Sequence, residues 1–325
     1  MTIKLAVIGA GDVAPFHLDA FQAIGVRFFG IAASHGSERA KNLGQRYDFS
    51  NIFSSWQELV EGADEFDALL LCTPPTVSEL ILRSILPFKK KILVEKPVTI
   101  SLDSMDSLLK KDCSNVSVAF NRRYYESVIE FKKSITNQSG HLSVSIIEDN
   151  FSDLEKLRES LFENSVHIFD ILNFVFGPIS INSVKNIHAP KGAIGNILDD
   201  TGNYIGDFKI KFGPPENSEI LFSTDKSSFL LKPIEKFSRF NTLVSADPTT
   251  EKPIRAYIPQ WSGNGADSIY VRTDFKPGFL EQAKEFVNQV PILDRKLSTM
   301  AEARRATMLA DSIYKSIASE INHMQ

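Results

Sequence analysis

The chain is poor in cysteine and tryptophan, with two of each among 325 residues. Cys72 and Cys113 form no CxxC pair. They cannot build a disulfide framework or a cysteine zinc site, so no metal site is expected and a reducing compartment is favoured. An excess of positive charge is also lacking: 36 Lys and Arg face 40 Asp and Glu, a formal net charge of −4. That argues against non-specific attraction to polyanions, so no nucleic-acid partner is expected. No stretch approaches the ~18 apolar residues of a membrane span, so no membrane partner is expected. The apolar run 5–8, which Gly9 stops, is too short for a secretory leader. The expectation is a soluble cytoplasmic protein. Internal repeats and low-complexity segments are absent too. What is present is an ordinary globular composition, 43% hydrophobic and 23% charged, with 24 Phe as its one oddity. At ~100–200 residues per domain, the length suggests about two domains.

Over residues 1–120 short apolar runs alternate with amphipathic stretches. Residues 5–8, 27–33, 68–72, 91–94 and 116–120 read as strands, and the unbroken run 68–72 is that of a strand covered on both faces. Helices are predicted after the glycine turn (with Phe16, Ala20, Phe21 and Ile24), over 37–47, and from near Ser101. Ser55 and Glu58 have capping-box spacing, in which Ser55 accepts from the Glu58 amide and Glu58 reaches back. Thr76 and Glu79 repeat it at the next helix. Strand–helix alternation at this spacing makes a parallel sheet with right-handed crossovers. After about Asn121 the pattern changes. Residues 124–135 read as a connecting helix and 142–148 as a strand. Residues 161–176 read as one helix, stopped by Gly177 and Pro178. From 179 to about 272, short β-rich runs broken by Gly, Pro, Asn and Asp have the texture of an antiparallel sheet. Phe279, Leu280, Ala283, Phe286, Val287 and Val290 predict a helix ended by Pro291, and Thr299 with Glu302 caps a last helix to about Glu320. The predicted layout is a doubly wound α/β domain followed by an α+β domain with a large β-sheet.

Gly9, Ala10, Gly11, Asp12, Val13 and Ala14 fit G-x-G-x-x-G/A between the first strand and its helix. The first glycine allows the tight turn, and the second lets the backbone approach a pyrophosphate. The small third residue allows close helix–strand packing, and the helix N-terminus favours an anion. The alternative is a glycine turn in a flavodoxin-like domain without nucleotide. About 20 residues on, a carboxylate would hold the 2′-hydroxyl of NAD. Here Ser34 and His35 occupy the end of the second strand, with Arg39 one helical turn beyond, free to be a mere solvated side chain. Lack of a repelling carboxylate, together with a candidate partner for a 2′-phosphate, favours NADP over NAD.

Lys96 follows the strand 92–94 in Glu95-Lys96-Pro97, at the strand end where open α/β sheets bind ligands. Combined with the glycine turn, Thr73-Pro74-Pro75 and Asn121-Arg122-Arg123, this set resembles the Gfo/Idh/MocA family, over nearly the whole chain. The resemblance implies an N-terminal dinucleotide-binding Rossmann domain over 1–122. It also implies a C-terminal α+β substrate-binding domain with a large, mostly antiparallel open sheet over 123–325. Implied too are an NAD(P)-dependent oxidoreductase acting on CH–OH groups of a sugar, cyclitol or related small molecule, and homo-oligomers, dimers or tetramers, paired through that sheet.

In such a family the EKP lysine lies beside the nicotinamide and meets the reacting oxygen, a role that falls on Lys96, with Thr73, Pro74 and Glu95 as cofactor neighbours. The family's acid/base histidine maps onto His167, with Asp170 three residues on. The family's Asp four residues before that histidine is Glu163 here, and Ser78 stands where the family often has His. Glu163 and His167 at i, i+4 share a helix face on this reading. An imidazole can move a proton at neutral pH, and a lysine cation stabilises developing alkoxide charge. Asp170 is a substrate ligand or a structural carboxylate. Arg122 and Arg123 bind substrate or form ion pairs, and Tyr124 lines a cleft or packs. His17 lies near the cofactor phosphates or on an exposed face. Rival readings are an NAD-using glycosidase of the same fold, a non-catalytic nucleotide-binding homologue, and a reductase of a non-sugar imine or carbonyl.

Overall fold

The computed structural model describes residues 3–188, 191–288 and 296–324. By internal contacts the chain divides into two units, Met1–Tyr124 with Thr273–Asp311, and Tyr125–Arg272 with Ser312–Gln325.

The first unit is built by strands that have no polar face. Its elements run β1 (Lys4–Ile8), α1 (Ala14–Ala23), β2 (Arg27–Ala32), α2 (Glu38–Arg46), β3 (Asn51–Phe53), α3 (Trp56–Glu61), β4 (Ala68–Leu71), α4 (Pro75–Ile85), β5 (Lys91–Val94), α5 (Leu102–Leu109) and β6 (Val116–Val118). The parallel strands lie in the order β3-β2-β1-β4-β5-β6. Every residue of β4 is buried, as its apolar run requires. The strand order reverses between β1 and β4, so the carboxyl ends of these two strands flank the crevice where doubly wound sheets take ligands. Ser37 caps α2 by accepting from the Ala40 amide, and Ser101 caps α5 through the Ser104 amide. Ser55 accepts from the Glu58 amide, but the Glu58 carboxylate goes one residue further back, to the Ser54 amide and hydroxyl, rather than to Ser55. Helix α4 starts at Pro75 with no side-chain cap, which corrects the Thr76–Glu79 box; Glu79 instead pairs with Arg83. Part of the phenylalanine excess lies here: Phe28 stacks on Phe49, and Phe29 touches Phe53 and Phe66. Each buried ring contributes on the order of 1.5–3 kcal/mol.

The second unit starts with α6 (Glu126–Ile135) and β7 (His141–Glu148). Then come α7 (Leu154–Glu159), one π-helical segment (Ser160–Ser165) and α8 (Val166–Phe176). The single helix predicted over 161–176 is therefore interrupted. Strands β8 (Ser180–His188), β9 (Lys191–Leu198), β10 (Tyr204–Phe212), β11 (Glu219–Ser223), β12 (Ser228–Leu231) and β13 (Lys236–Phe240) follow. They are succeeded by the ribbon β14 (Thr242–Ala246) and β15 (Ala256–Gln260), and by β16 (Ser268–Tyr270). Eight strands form a sheet in the order β16-β13-β12-β11-β7-β10-β9-β8, in which only the β7–β10 pair is parallel. The alternating burial of β10 shows one face covered and one open. Phe131, Phe162 and Phe169 are buried in this unit, with Phe174 and Phe176 half-buried and Phe131 edge-on to Phe176 and Phe237.

The chain then returns. Helix α9 (Phe279–Phe286) lays Phe279 against Phe16 and His17, and Phe286 against Phe21, all on α1. β17 (Ser298–Thr299) pairs antiparallel with β6, and α10 (Met300–Met324) starts in the first unit and ends in the second. The division at residue 122 puts 273–311 in the second domain; the packing puts them in the first, because the apolar stripe Phe279, Ala283 and Phe286 finds its partner on α1. Thr299 and Glu302 make a reciprocal capping box at the start of α10. The predicted Val290 and Pro291 lie outside the described residues. Among the described residues no helix is long and apolar enough to cross a membrane.

Candidate functional site

In the first unit the glycine turn leaves β1 at the switch point. Gly9 has φ +105°, and a Cβ there would lie 2.1 Å from the carbonyl oxygen of Cys72 at the end of β4. This glycine is demanded by the protein itself. Its neighbourhood is pinned by the Gly9 amide on Ala32 O and the Cys72 amide on Ile8 O, both 2.8 Å. Gly11 differs: its φ is unexceptional, and a Cβ would meet only Cys72 O, at 3.8 Å. Nothing in the fold forbids a side chain there, yet a dinucleotide's pyrophosphate needs that space. Helix α1 follows with Pro15 in its first turn and no side-chain cap at Val13, so its N-terminal amides suit an anion. Ala14 is fully buried. The turn at Gly9, Gly11, Asp12 and Val13 therefore fits the pyrophosphate of a dinucleotide.

The other predicted cofactor residues of this unit sit at neighbouring strand ends. Ser34 and His35 close β2 in a turn, where the Ser37 amide donates to Ser34 O; both residues are exposed. Arg39 reaches back to the glycine turn, its Nη1 lying 3.1 Å from Asp12 Oδ1 with both side chains largely in solvent. After β4, the Thr73 and Ser78 hydroxyls are 2.7 Å apart, and Ser78 also donates to Thr73 O. The buried Ser78 thus closes the turn that carries Thr73 and Pro74 into α4.

Glu95 and Lys96 leave β5 through a cis Lys96-Pro97 bond. The Glu95 carboxylate, only 8% exposed, accepts from His17 Nε2 at 2.6 Å and from the Lys96 backbone amide at 3.1 Å. His17 is 1% exposed, so the reading that puts it on an exposed face does not hold. Burial, with the Glu95 charge added, pushes the Cys72 thiol well above its ordinary value, so Cys72 is no nucleophile at neutral pH.

Two of the junction residues, Arg123 and Tyr124, are internal fasteners. Arg123 is fully buried and donates to Glu302 and to Lys296 O. Burial raises the Glu302 pKa, but the Arg123 charge and the Thr299 bonds outweigh it and hold the carboxyl below its ordinary range. The Tyr124 hydroxyl donates to Glu285, whose other oxygen accepts from the Lys296 and Leu297 amides. Arg122 is half-buried.

In the second unit His167 lies in the first turn of α8, 7% exposed, with Asp170 fully buried one turn on. Glu163 is exposed, within the π segment. The stretch between Glu163 and His167 is thus not the regular α-helix that the i, i+4 reading assumes, because 160–165 is π-helical. The π segment is stitched by Glu148 at the end of β7, whose carboxylate accepts from the Ser160, Ser165 and Asn164 side chains. Neither Glu148 nor the His17–Glu95 pair carries a spacing signal that points to such a role. Both contacts join residues remote in sequence or across a helix irregularity.

Residues 3–119 match the profile of the family described as "Oxidoreductase family, NAD-binding Rossmann fold". The uncharacterized oxidoreductase YrbE of Bacillus subtilis is 24% identical over 204 residues, 60% of this chain and 58% of the relative. Myo-inositol 2-dehydrogenase of Thermotoga maritima is 22% identical over 186 residues, 54% of this chain and 55% of the relative. The matched part thus spans little more than half the length of these relatives. Among solved structures, levoglucosan dehydrogenase in complex with NADH shares the fold, with a TM-score of 0.71 across 98% of both chains at 16% identity.

Proposed function

We propose that this chain, whose residues 3–119 match the Gfo/Idh/MocA oxidoreductase family, transfers a hydride between a nicotinamide cofactor, NADP in preference to NAD, and a CH–OH or carbonyl carbon of a sugar, cyclitol or sugar-derived substrate. The observation that carries this reading is the glycine turn at the switch point of the first sheet, with open space at Gly11, beside strand ends that carry Thr73 and Lys96. The names of the relatives, an inositol dehydrogenase and a levoglucosan dehydrogenase, support the substrate class.

On this reading Gly9, Gly11, Asp12 and Val13 hold the pyrophosphate, while Thr73, Pro74 and Glu95 line the cofactor's path. Ser34, His35 and Arg39 meet the adenosine ribose. Arg39 supports NADP, because a guanidinium stands beside the phosphate turn and no carboxylate closes β2. The nicotinamide supplies the hydride chemistry when bound. Lys96 places its cation on the substrate oxygen and stabilises negative charge as it develops. His167 takes or returns the hydroxyl proton. Glu163 biases that imidazole electrostatically, and Arg122 joins the substrate-facing set, while the buried Tyr124 and Asp170 support it from within. One observation favours a second reading, a non-catalytic nucleotide-binding homologue: Glu163 is solvent-exposed where the family has an orienting Asp.

The test is a fluorescence titration of the full chain with NADPH and NADH, followed by a screen of inositols, pyranoses and keto-sugars with the tighter cofactor. The proposal expects NADPH to bind more tightly and at least one polyol or keto-sugar to turn over. Tight NADH with negligible NADPH binding would overturn the NADP preference. Cofactor binding without turnover of any such substrate would favour the second reading.

A further inference from the structure

We propose that His17 and Glu95 form a strut that holds the Lys96 turn in fixed relation to the phosphate-binding helix α1, making both of them positioning residues for Lys96. The inference rests on the reading of Lys96 as the group that meets the nicotinamide and the substrate oxygen. His17 lies one turn into α1, three residues beyond Ala14, on the buried face that also carries Leu18 and Phe21. Its ring packs 4.6 Å from that of Phe279, so the imidazole is held on a second side and has little room to swing. Its Nε2 donates to one oxygen of Glu95, and the other oxygen of Glu95 accepts from the Lys96 amide. One carboxylate therefore bridges α1 and the backbone atom that starts the Lys96 residue. The strand end adds a third constraint, because the Glu95 amide donates to Leu71 O. A carboxylate this buried is retained only where its oxygens are satisfied, and these contacts satisfy one lone pair on each.

The consequence is mechanical. The helix that would anchor the pyrophosphate and the turn that presents Lys96 are joined by a charge-capable hydrogen bond as well as by the sheet. A small displacement of a reacting group is costly to rate, about 10²-fold for ~1 Å, whereas phosphate anchoring depends on backbone amides that the strut does not supply. Loss of the strut should therefore separate catalysis from cofactor binding.

The experiment compares the full chain with its His17→Ala, His17→Gln and Lys96→Met variants. Reductive methylation with formaldehyde and an amine–borane reductant is mapped by mass spectrometry, with and without NADPH, and Lys41 serves as an exposed control lysine. In the wild type NADPH should slow methylation of Lys96. His17→Ala should lose that protection while its NADPH dissociation constant stays within about threefold, and kcat for any active sugar should fall at least about tenfold. His17→Gln, which keeps a side-chain N–H for Glu95, should recover protection, so a misfolded alanine variant does not decide the matter. If Lys96 stays fully protected in folded His17→Ala, or if NADPH affinity and kcat fall together in both variants, the strut is wrong. Failure of the underlying reading looks different: NADPH gives Lys96 no protection in the wild type, or Lys96→Met turns over normally.

Discussion

Alanine at Gly9 and at Gly11 should have opposite consequences, although the two glycines are two residues apart. At Gly9 the backbone sits at φ +105°, which costs an L side chain roughly 1–3 kcal/mol. The new methyl would also lie 2.1 Å from the main-chain oxygen of Cys72, a residue tied to β1 by its amide on Ile8 O. Relief requires breaking a ladder hydrogen bond, about 1 kcal/mol more, and opening the β1–β4 junction. A total of roughly 2–4 kcal/mol corresponds to a fall in Tm of about 10 °C for a unit of this size. At Gly11 a methyl touches only Cys72 O, at 3.8 Å, so stability should stay within about 0.5 kcal/mol of wild type. The same methyl fills the space assigned to the pyrophosphate. Cofactor affinity should then fall at least about tenfold, or about 1.4 kcal/mol. Thermal melts and NADPH fluorescence titrations on the two variants read both quantities. A Gly11→Ala protein that binds cofactor as well as wild type would refute the placement of the phosphate site, and a Gly9→Ala protein with an unchanged Tm would refute the account of the junction.

Arg39→Ala should weaken NADPH binding by about tenfold and leave NADH within about twofold, measured by parallel titrations. Equal losses for both cofactors would remove Arg39 from 2′-phosphate recognition. The Glu302 carboxyl has a lowered pKa in the folded state, so its contribution to stability is fully present above the ordinary value of 4.5 and disappears as pH falls below it. Glu302→Gln should therefore be less stable at neutral pH and lose less stability between neutral pH and the acid range, as urea melts at several pH values would show. A parallel downward shift at every pH would contradict that assignment. Glu148→Ala removes the common acceptor of the Ser160, Asn164 and Ser165 side chains, and hydrogen exchange over 160–166 should accelerate while the strands of the large sheet keep their protection.

The parts legible in the sequence are those fixed by local backbone chemistry. Gly9 and Gly11 after an apolar run, the Ser37 cap, the Thr299–Glu302 box and the unbroken apolar run 68–72 each announce their structure within a few residues. The resemblance carried by Glu95-Lys96-Pro97 supplied the family, and residues 3–119 match its profile. What stayed hidden depends on distant partners. Strand β3 is three residues long, and it forms because β2 offers Gly30, Ile31 and Ala32 for pairing. Helix α9 has an ordinary amphipathic pattern; nothing in it says that its stripe covers α1 rather than the sheet it follows. The π segment interrupts a stretch whose apolar spacing is that of an α-helix, and its stitching carboxylate comes from β7. His17 offered two readings, and the burial that removes the exposed one comes with a partner, Glu95, 78 residues away. The phenylalanine excess is divided between Phe131, Phe162 and Phe169, buried in the second unit, and the aromatic group of Phe28, Phe29, Phe49, Phe53 and Phe66 in the first.

The central claim is that Lys96 assists direct hydride transfer between a carbinol carbon and a nicotinamide. The most direct measurement follows an isotope. Wild type and Lys96→Met are each incubated with oxidised cofactor and inositols or pyranoses deuterated at their carbinol carbons, and the reduced nicotinamide is weighed by mass spectrometry. The account predicts deuterium in the cofactor with at least one of these polyols in the wild type. It predicts a rate lower by about 10² or more in Lys96→Met, with cofactor affinity nearly unchanged. Reduced cofactor without deuterium, or equal rates in the two proteins, would contradict it.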